Sequence, residues 1–115
     1  MPVRVLLVDT NRDSETERVL RSAGHFVTRA FGFEEAKRWL RFAPPDLLMT
    51  DVRLGAYNGL HLVIRARAEH PGMLAIVVDA DHDPVLEREA NDAGATYVAK
   101  PFEVKSLVPI ALGER

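Results

Sequence analysis

Five short apolar runs, each followed by a stretch of different periodicity, constrain this chain more than any other feature. Residues 3–8, 25–30, 46–50, 74–78 and 96–99 read as strands, and the segments between them repeat apolar residues at helical spacing. Strand–helix alternation through a whole chain implies one parallel sheet with helices on both faces, because right-handed crossovers place them there. At 115 residues, 47% hydrophobic and 28% charged, the chain suits one domain over residues 1–115. A chain this long buries enough surface to fold without disulfide or structural metal, and it contains no cysteine.

Each transition carries its own turn or cap chemistry. Residues 11–23 form the first expected helix, with Asn11 as its cap and Gly24 ending it in a left-handed conformation. Phe33, Ala36, Leu40 and Ala43 mark the second, which Pro44-Pro45 stops, and Trp39 on it reads as partly buried core, with a partner contact as the alternative. A loop with Gly55 and Asn58-Gly59 leads into a third helix whose Leu60, Val63, Ile64 and Ala68 share a face. Asp83 caps the fourth, with Pro84 at its first position. Residues 103–112 are expected to form a short last helix that Pro109 kinks or ends early.

Several functions are disfavoured. A formal charge of -2 gives no bulk electrostatic reason to bind nucleic acid directly. No apolar stretch approaches the ~20 residues that span a bilayer, and Met1-Pro2-Val3-Arg4 enters a strand without a signal-peptide pattern. A cytoplasmic chain with no membrane partner is therefore expected. His25, His61, His70 and His82 lack metal-ligand spacing. Asp79-x-Asp81-x-Asp83 starts like a calcium loop, but Pro84 and Ala90 stand where glycine and glutamate are required. An aspartate-nucleophile hydrolase would carry a second aspartate two residues after the first, and the chain reads Asp51-Val52-Arg53. A nucleotide-binding module would show a glycine-rich loop after the first strand, where Asp9-Thr10-Asn11-Arg12 stands.

Three charged residues end three of the apolar runs: Asp9, Asp51 and Lys100. In adjacent parallel strands these ends lie on one edge of the sheet, where open α/β folds place their ligand chemistry. Two carboxylates and an ammonium then converge.

The segments Leu6-Leu7-Val8-Asp9, Asp46-Leu47-Leu48-Met49-Thr50-Asp51, Asn58-Gly59-Leu60 and Ala93-Gly94-Ala95-Thr96-Tyr97-Val98-Ala99-Lys100-Pro101-Phe102 occur in an informative order and spacing. Over nearly its whole length the chain resembles a response-regulator receiver domain of a two-component phosphorelay. That resemblance implies an α/β flavodoxin-like (βα)5 doubly wound sheet, strand order 2-1-3-4-5, with a cis bond before Pro101. It implies a non-enzymatic module that accepts a phosphoryl group on Asp51 from a histidine kinase or phosphotransfer protein. The module would then signal to a downstream protein or to an output domain absent from this chain. Lys100 matches the phosphoryl-contacting lysine, Tyr97 the aromatic switch position, and Arg53 and Asp81 the positions that tune phosphoryl lifetime. Asp9, Asp51 and the Arg53 backbone carbonyl match the ligands of a Mg2+ ion, and Thr10 stands at the position of a further one.

Two positions depart from the pattern. Asp9-Thr10 replaces an acidic pair, which weakens the expected Mg2+ site. Asp79 replaces the switch hydroxyl, and an ionised carboxylate cannot donate the hydrogen bond that a hydroxyl gives to a phosphoryl oxygen. Facing such a group, Asp79 would repel it by ~4 kcal/mol at ~4 Å and an effective dielectric of ~20, or pair with Lys100 instead. The alternative is a pseudo-receiver, an interaction module that works without phosphorylation.

Overall fold

The computed structural model describes residues 2–11 and 14–113. Five parallel strands form one sheet: β1 (Arg4–Val8), β2 (Phe26–Ala30), β3 (Leu47–Asp51), β6 (Leu74–Asp79) and β7 (Thr96–Ala99), in the order β2-β1-β3-β6-β7. A small antiparallel pair, β4 (Arg53–Leu54) and β5 (Tyr57–Asn58), follows β3 where the sequence reads as loop. Setting it aside, the order is the expected 2-1-3-4-5 of a flavodoxin-like sheet.

The central strands are apolar on both faces because both faces are covered. Alternate residues divide the core in two. Leu6, Val8, Leu48 and Val77 pack with Leu40, Leu60, Val63 and Ala90, which come from α2 (Phe33–Phe42), α3 (Gly59–Glu69) and α4 (Pro84–Asp92). Val5, Leu7, Met49, Ile76 and Val78 pack on the other face with Leu20 of α1 (Glu15–Ser22) and with Leu107 and Val108 of α5 (Leu107–Ala111). Among the described residues, no helix is long and apolar enough to cross a membrane.

Helix ends follow local chemistry, with corrections. Asp83 caps α4 by accepting from the Val85 and Leu86 amides, with Pro84 at its start. Gly24 and Gly94 take the positive φ expected after α1 and α4. Asn11, however, does not cap α1. The cap is Ser14, whose hydroxyl accepts from the Glu17 amide at 3.1 Å, in a Ser-x-x-Glu pattern that the longer expected helix obscured.

The buried face of α3 comprises Gly59, Leu60, Leu62, Val63 and Ala66, whereas Ile64 is 55% exposed and Ala68 is exposed, against expectation. Rotation of this helix is set at its first residue. A Cβ on Gly59 would lie 2.0 Å from the Asp51 carbonyl oxygen, so only glycine permits the approach. Trp39 is 39% exposed rather than core. The last helix, α5, is shorter than the expected 103–112 and ends at Ala111, two residues after Pro109. A 3-10 turn (Val104–Ser106) precedes α5, so Pro109 falls within the first turn, where its missing amide costs no intrahelical bond.

Candidate functional site at the carboxyl edge of the sheet

Asp9 follows β1, Asp51 ends β3 and Lys100 follows β7; all three line one cleft of about 550 Å³. Their convergence follows from strand parity. Asp51 alternates with Leu47 and Met49, Asp9 with Val5 and Leu7, and Lys100 with Val98, so all three lie on the side covered by α1 and α5. Ser14, Glu15 and Thr16, at the start of α1, form part of the rim. The backbone of Asp51 is fixed by the close approach of Gly59, and neighbouring Val52 donates its amide to the Val78 carbonyl at 2.9 Å.

The Asp51 carboxyl has its pKa pushed up to about 6. Burial is the main cause and the Asp9 charge adds to it, while Lys100 and Arg29 oppose. Asp9, 8% exposed, is also raised, chiefly by desolvation, with Arg29 the principal opposing charge. Among the described residues, no side-chain hydrogen bond or ion pair holds the Asp51 carboxylate.

Asp79 lies elsewhere. It alternates with Ala75 and Val77 onto the opposite face, and only Val78, of the other parity, lines the cleft. Asp79 is 2% exposed and accepts a 2.5 Å hydrogen bond from the Tyr97 hydroxyl. That hydroxyl also accepts from the Asp83 amide at 2.9 Å, and its pKa is raised by desolvation and by the bond to Asp79. The expected pairing of Asp79 with Lys100 is therefore corrected. Among the described residues no ion pair joins them, and the backbone amide of Lys100 instead donates to the Asp79 carbonyl at 3.0 Å. The repulsion assigned to Asp79 loses its geometric basis, since it faces Tyr97.

Of the remaining expected residues, Arg53 is exposed on β4 and Asp81 is exposed beyond β6, its carbonyl 3.3 Å from the Tyr97 hydroxyl. The peptide before Pro101 is cis. Thr10 is exposed and does not line the cleft.

One residue at the site escaped the sequence reading. Arg29, near the end of β2, donates from Nη2 to Asp9 Oδ1 at 2.5 Å and to the Asn11 carbonyl at 2.7 Å, and from Nη1 to Glu17 Oε1 at 3.0 Å. Its side chain is only 8% exposed, and its guanidinium stacks 4.5 Å from the Phe31 ring centroid. The available signal was parity: Arg29 alternates with Val27 onto the α1 face, at the edge where Asp9 emerges.

Arg29 bears directly on whether a divalent ion fits. Asp9 Oδ1 already accepts from Arg29 and from the Asn11 amide at 3.0 Å, and Thr10 faces solvent. Among the described residues, no group of three or more acidic, histidine or cysteine side chains is placed to hold a metal. With Asp9 Oδ1 engaged and no acid at position 10, the described residues do not fit a tight divalent site.

The family model for the response regulator receiver domain matches residues 5–111. The chain belongs to that family. This receiver domain is 31% identical over 109 residues to the DNA-binding transcriptional regulator NtrC of Azospirillum brasilense, covering 92% of this chain and 23% of that protein. It is 32% identical over 111 residues to the probable transcriptional regulatory protein TcrX of Mycobacterium tuberculosis, covering 93% and 47%. The chain thus spans less than half the length of these curated relatives. Among solved structures, a CheY-like receiver domain protein from Methanospirillum hungatei superimposes with a TM-score of 0.88 at 24% identity, covering 98% of this chain and 93% of that one. A response regulator from Burkholderia pseudomallei, with a phosphorylated aspartic acid, a calcium ion and citrate, superimposes with a TM-score of 0.85 at 25% identity, covering 92% and 64%.

Proposed function

We propose that this receiver domain accepts a phosphoryl group on Asp51 from a histidine kinase or phosphotransfer protein. It then signals to a downstream protein or to an output domain outside this chain. The observation that carries the reading is the Asp51 carboxylate, half-buried near Asp9 and Lys100 in the cleft, with no side-chain hydrogen bond or ion pair among the described residues. With its pKa raised to about 6, the group is still mostly ionised at pH 7 and can act as a nucleophile. In the transfer, an Asp51 oxygen bonds to phosphorus as the P–N bond to the donor imidazole breaks, and the departing imidazole takes up a proton. The Lys100 ammonium supplies positive charge to the phosphoryl oxygens as they pass between donor and acceptor. The chemistry is confined to phosphorylation of Asp51 and its hydrolysis, with Arg53 and Asp81 at the sequence positions that would tune the phosphoryl lifetime. The phosphorylated aspartic acid of the Burkholderia relative supports this chemistry on the same fold.

A second reading has its own observation. The Tyr97–Asp79 hydrogen bond holds the tyrosine in place without any phosphoryl group, as a phosphate-independent pseudo-receiver requires. Intact-mass measurement after incubation with acetyl phosphate separates the two. One phosphoryl mass, absent in Asp51→Asn, is expected of the acceptor. Folded protein with no adduct would refute it in favour of the pseudo-receiver.

A further inference from the structure

We propose that Arg29 is a tethered cation that takes the electrostatic place of a divalent ion beside Asp9 and Asp51. The part of the proposal concerning phosphoryl transfer rests on the Asp51 acceptor reading, whereas the competition for Asp9 does not.

The guanidinium is held on several sides: Asp9 and the Asn11 carbonyl take Nη2, Glu17 takes Nη1, and Phe31 lies against the plane. Glu17 is itself tied by Arg21, whose Nε donates to Oε2 at 2.9 Å and whose Nη2 donates to the Val27 carbonyl at 2.7 Å. This chain of ion pairs joins α1 to β2 and fixes where the charge sits. An ion approaching Asp9 competes with Arg29, already bonded to Oδ1, for the charge of a single carboxylate. Removing one member of a buried pair strands the other charge, and that cost falls on any competing cation. Thr10, turned to solvent, supplies no compensating acid.

Guanidinium stays protonated at every physiological pH, so its charge does not depend on ion concentration. A phosphoryl group on Asp51 would lie near two cations, Arg29, held at Asp9, and Lys100, which lines the same cleft. Magnesium then becomes dispensable for the modification.

Calorimetric titration with Mg2+ and with Mn2+ reads the competition without any phosphoryl transfer. Losing a charge-assisted bond to Asp9 should let Arg29→Met bind either ion at least ~10-fold more tightly than wild type, and adding Asp9→Asn should abolish the gain. Equal affinity in wild type and Arg29→Met would overturn the proposal. Should Arg29→Met fail to fold, Arg29→Lys serves the same comparison. It keeps a charge but lacks the planar fork that reaches Asp9, the Asn11 carbonyl and Glu17 together, and is expected to gain several-fold in affinity. In the second arm, phosphoramidate is supplied to the wild type in EDTA or in Mg2+, and the Asp51 adduct is measured by intact mass. Equal yields are expected. An adduct only with Mg2+ overturns the tethered cation. No adduct in either condition overturns the acceptor reading, and the calorimetry alone then decides the role of Arg29.

Discussion

Replacing Asp51 with asparagine should stabilise the protein while abolishing its acceptor. The carboxyl ionises at 3.8 when free and at about 6 in the fold, mainly because burial disfavours its charged form. Below about pH 4 both states hold the proton and the group contributes nothing. Between about pH 4 and 6 the native state keeps a proton that the unfolded state has released, so stability falls as pH rises. Above about 6 the loss is complete. At 1.36 kcal/mol per pH unit, the rise from 3.8 to about 6 corresponds to about 3 kcal/mol. Screening at the open side of the cleft brings it nearer 2 kcal/mol. Asparagine keeps the shape and removes the charge, so Asp51→Asn should gain about 2 kcal/mol at pH 7.5 and nearly nothing at pH 4. The melting temperature at pH 7.5 should rise by roughly 5 to 10 °C. Urea unfolding of both proteins across this range, with chelator present, measures the difference directly. A variant no more stable than wild type at pH 7.5, or one whose advantage is the same at pH 4, would refute the assignment of a destabilising buried charge to Asp51.

Three further outcomes are expected. Gly59→Ala places a methyl 2.0 Å from the Asp51 carbonyl oxygen; forcing α3 from β3 should cost about 3 kcal/mol or more in urea unfolding and slow modification of Asp51. Tyr97→Phe leaves the Asp79 carboxylate, 2% exposed, without its hydroxyl donor. The loss should be about 1.5 to 3 kcal/mol, and much less in the background of Asp79→Ala, as a double-mutant cycle would show. Ser14→Ala removes the α1 cap and should cost about 1 kcal/mol, whereas Asn11→Ala, which disturbs no cap, should leave α1 intact by amide hydrogen exchange.

How much was legible in the sequence depended on the range of each interaction. Strand periodicity, the Asp83 cap and the glycines after α1 and α4 are local, and local chemistry decides them alike in peptide and fold. The convergence of Asp9, Asp51 and Lys100 was also readable, because strand ends in a parallel sheet share an edge whatever the packing. Even the separation of Asp79 from Lys100 was implicit in the alternation of β6, although residue identity at the strand end suggested a pairing that parity forbids.

Tertiary structure decided what depended on distant partners. Arg29 reaches Asp9 across 20 residues of chain, and Tyr97 reaches Asp79 across 18, so no local pattern specifies either bond. The face that α3 buries is set by the contact of Gly59 with Asp51 rather than by its own apolar residues, which is why Ile64 points to solvent. Sequence alone determined the parallel sheet and the edge where its charged strand ends meet, because periodicity and chain direction suffice for those, while the strand order came from the resemblance to the receiver family. Only packing determined which charge answers which, because a side chain pairs with whatever the fold brings within about 3 Å, and that neighbour is rarely a neighbour in sequence.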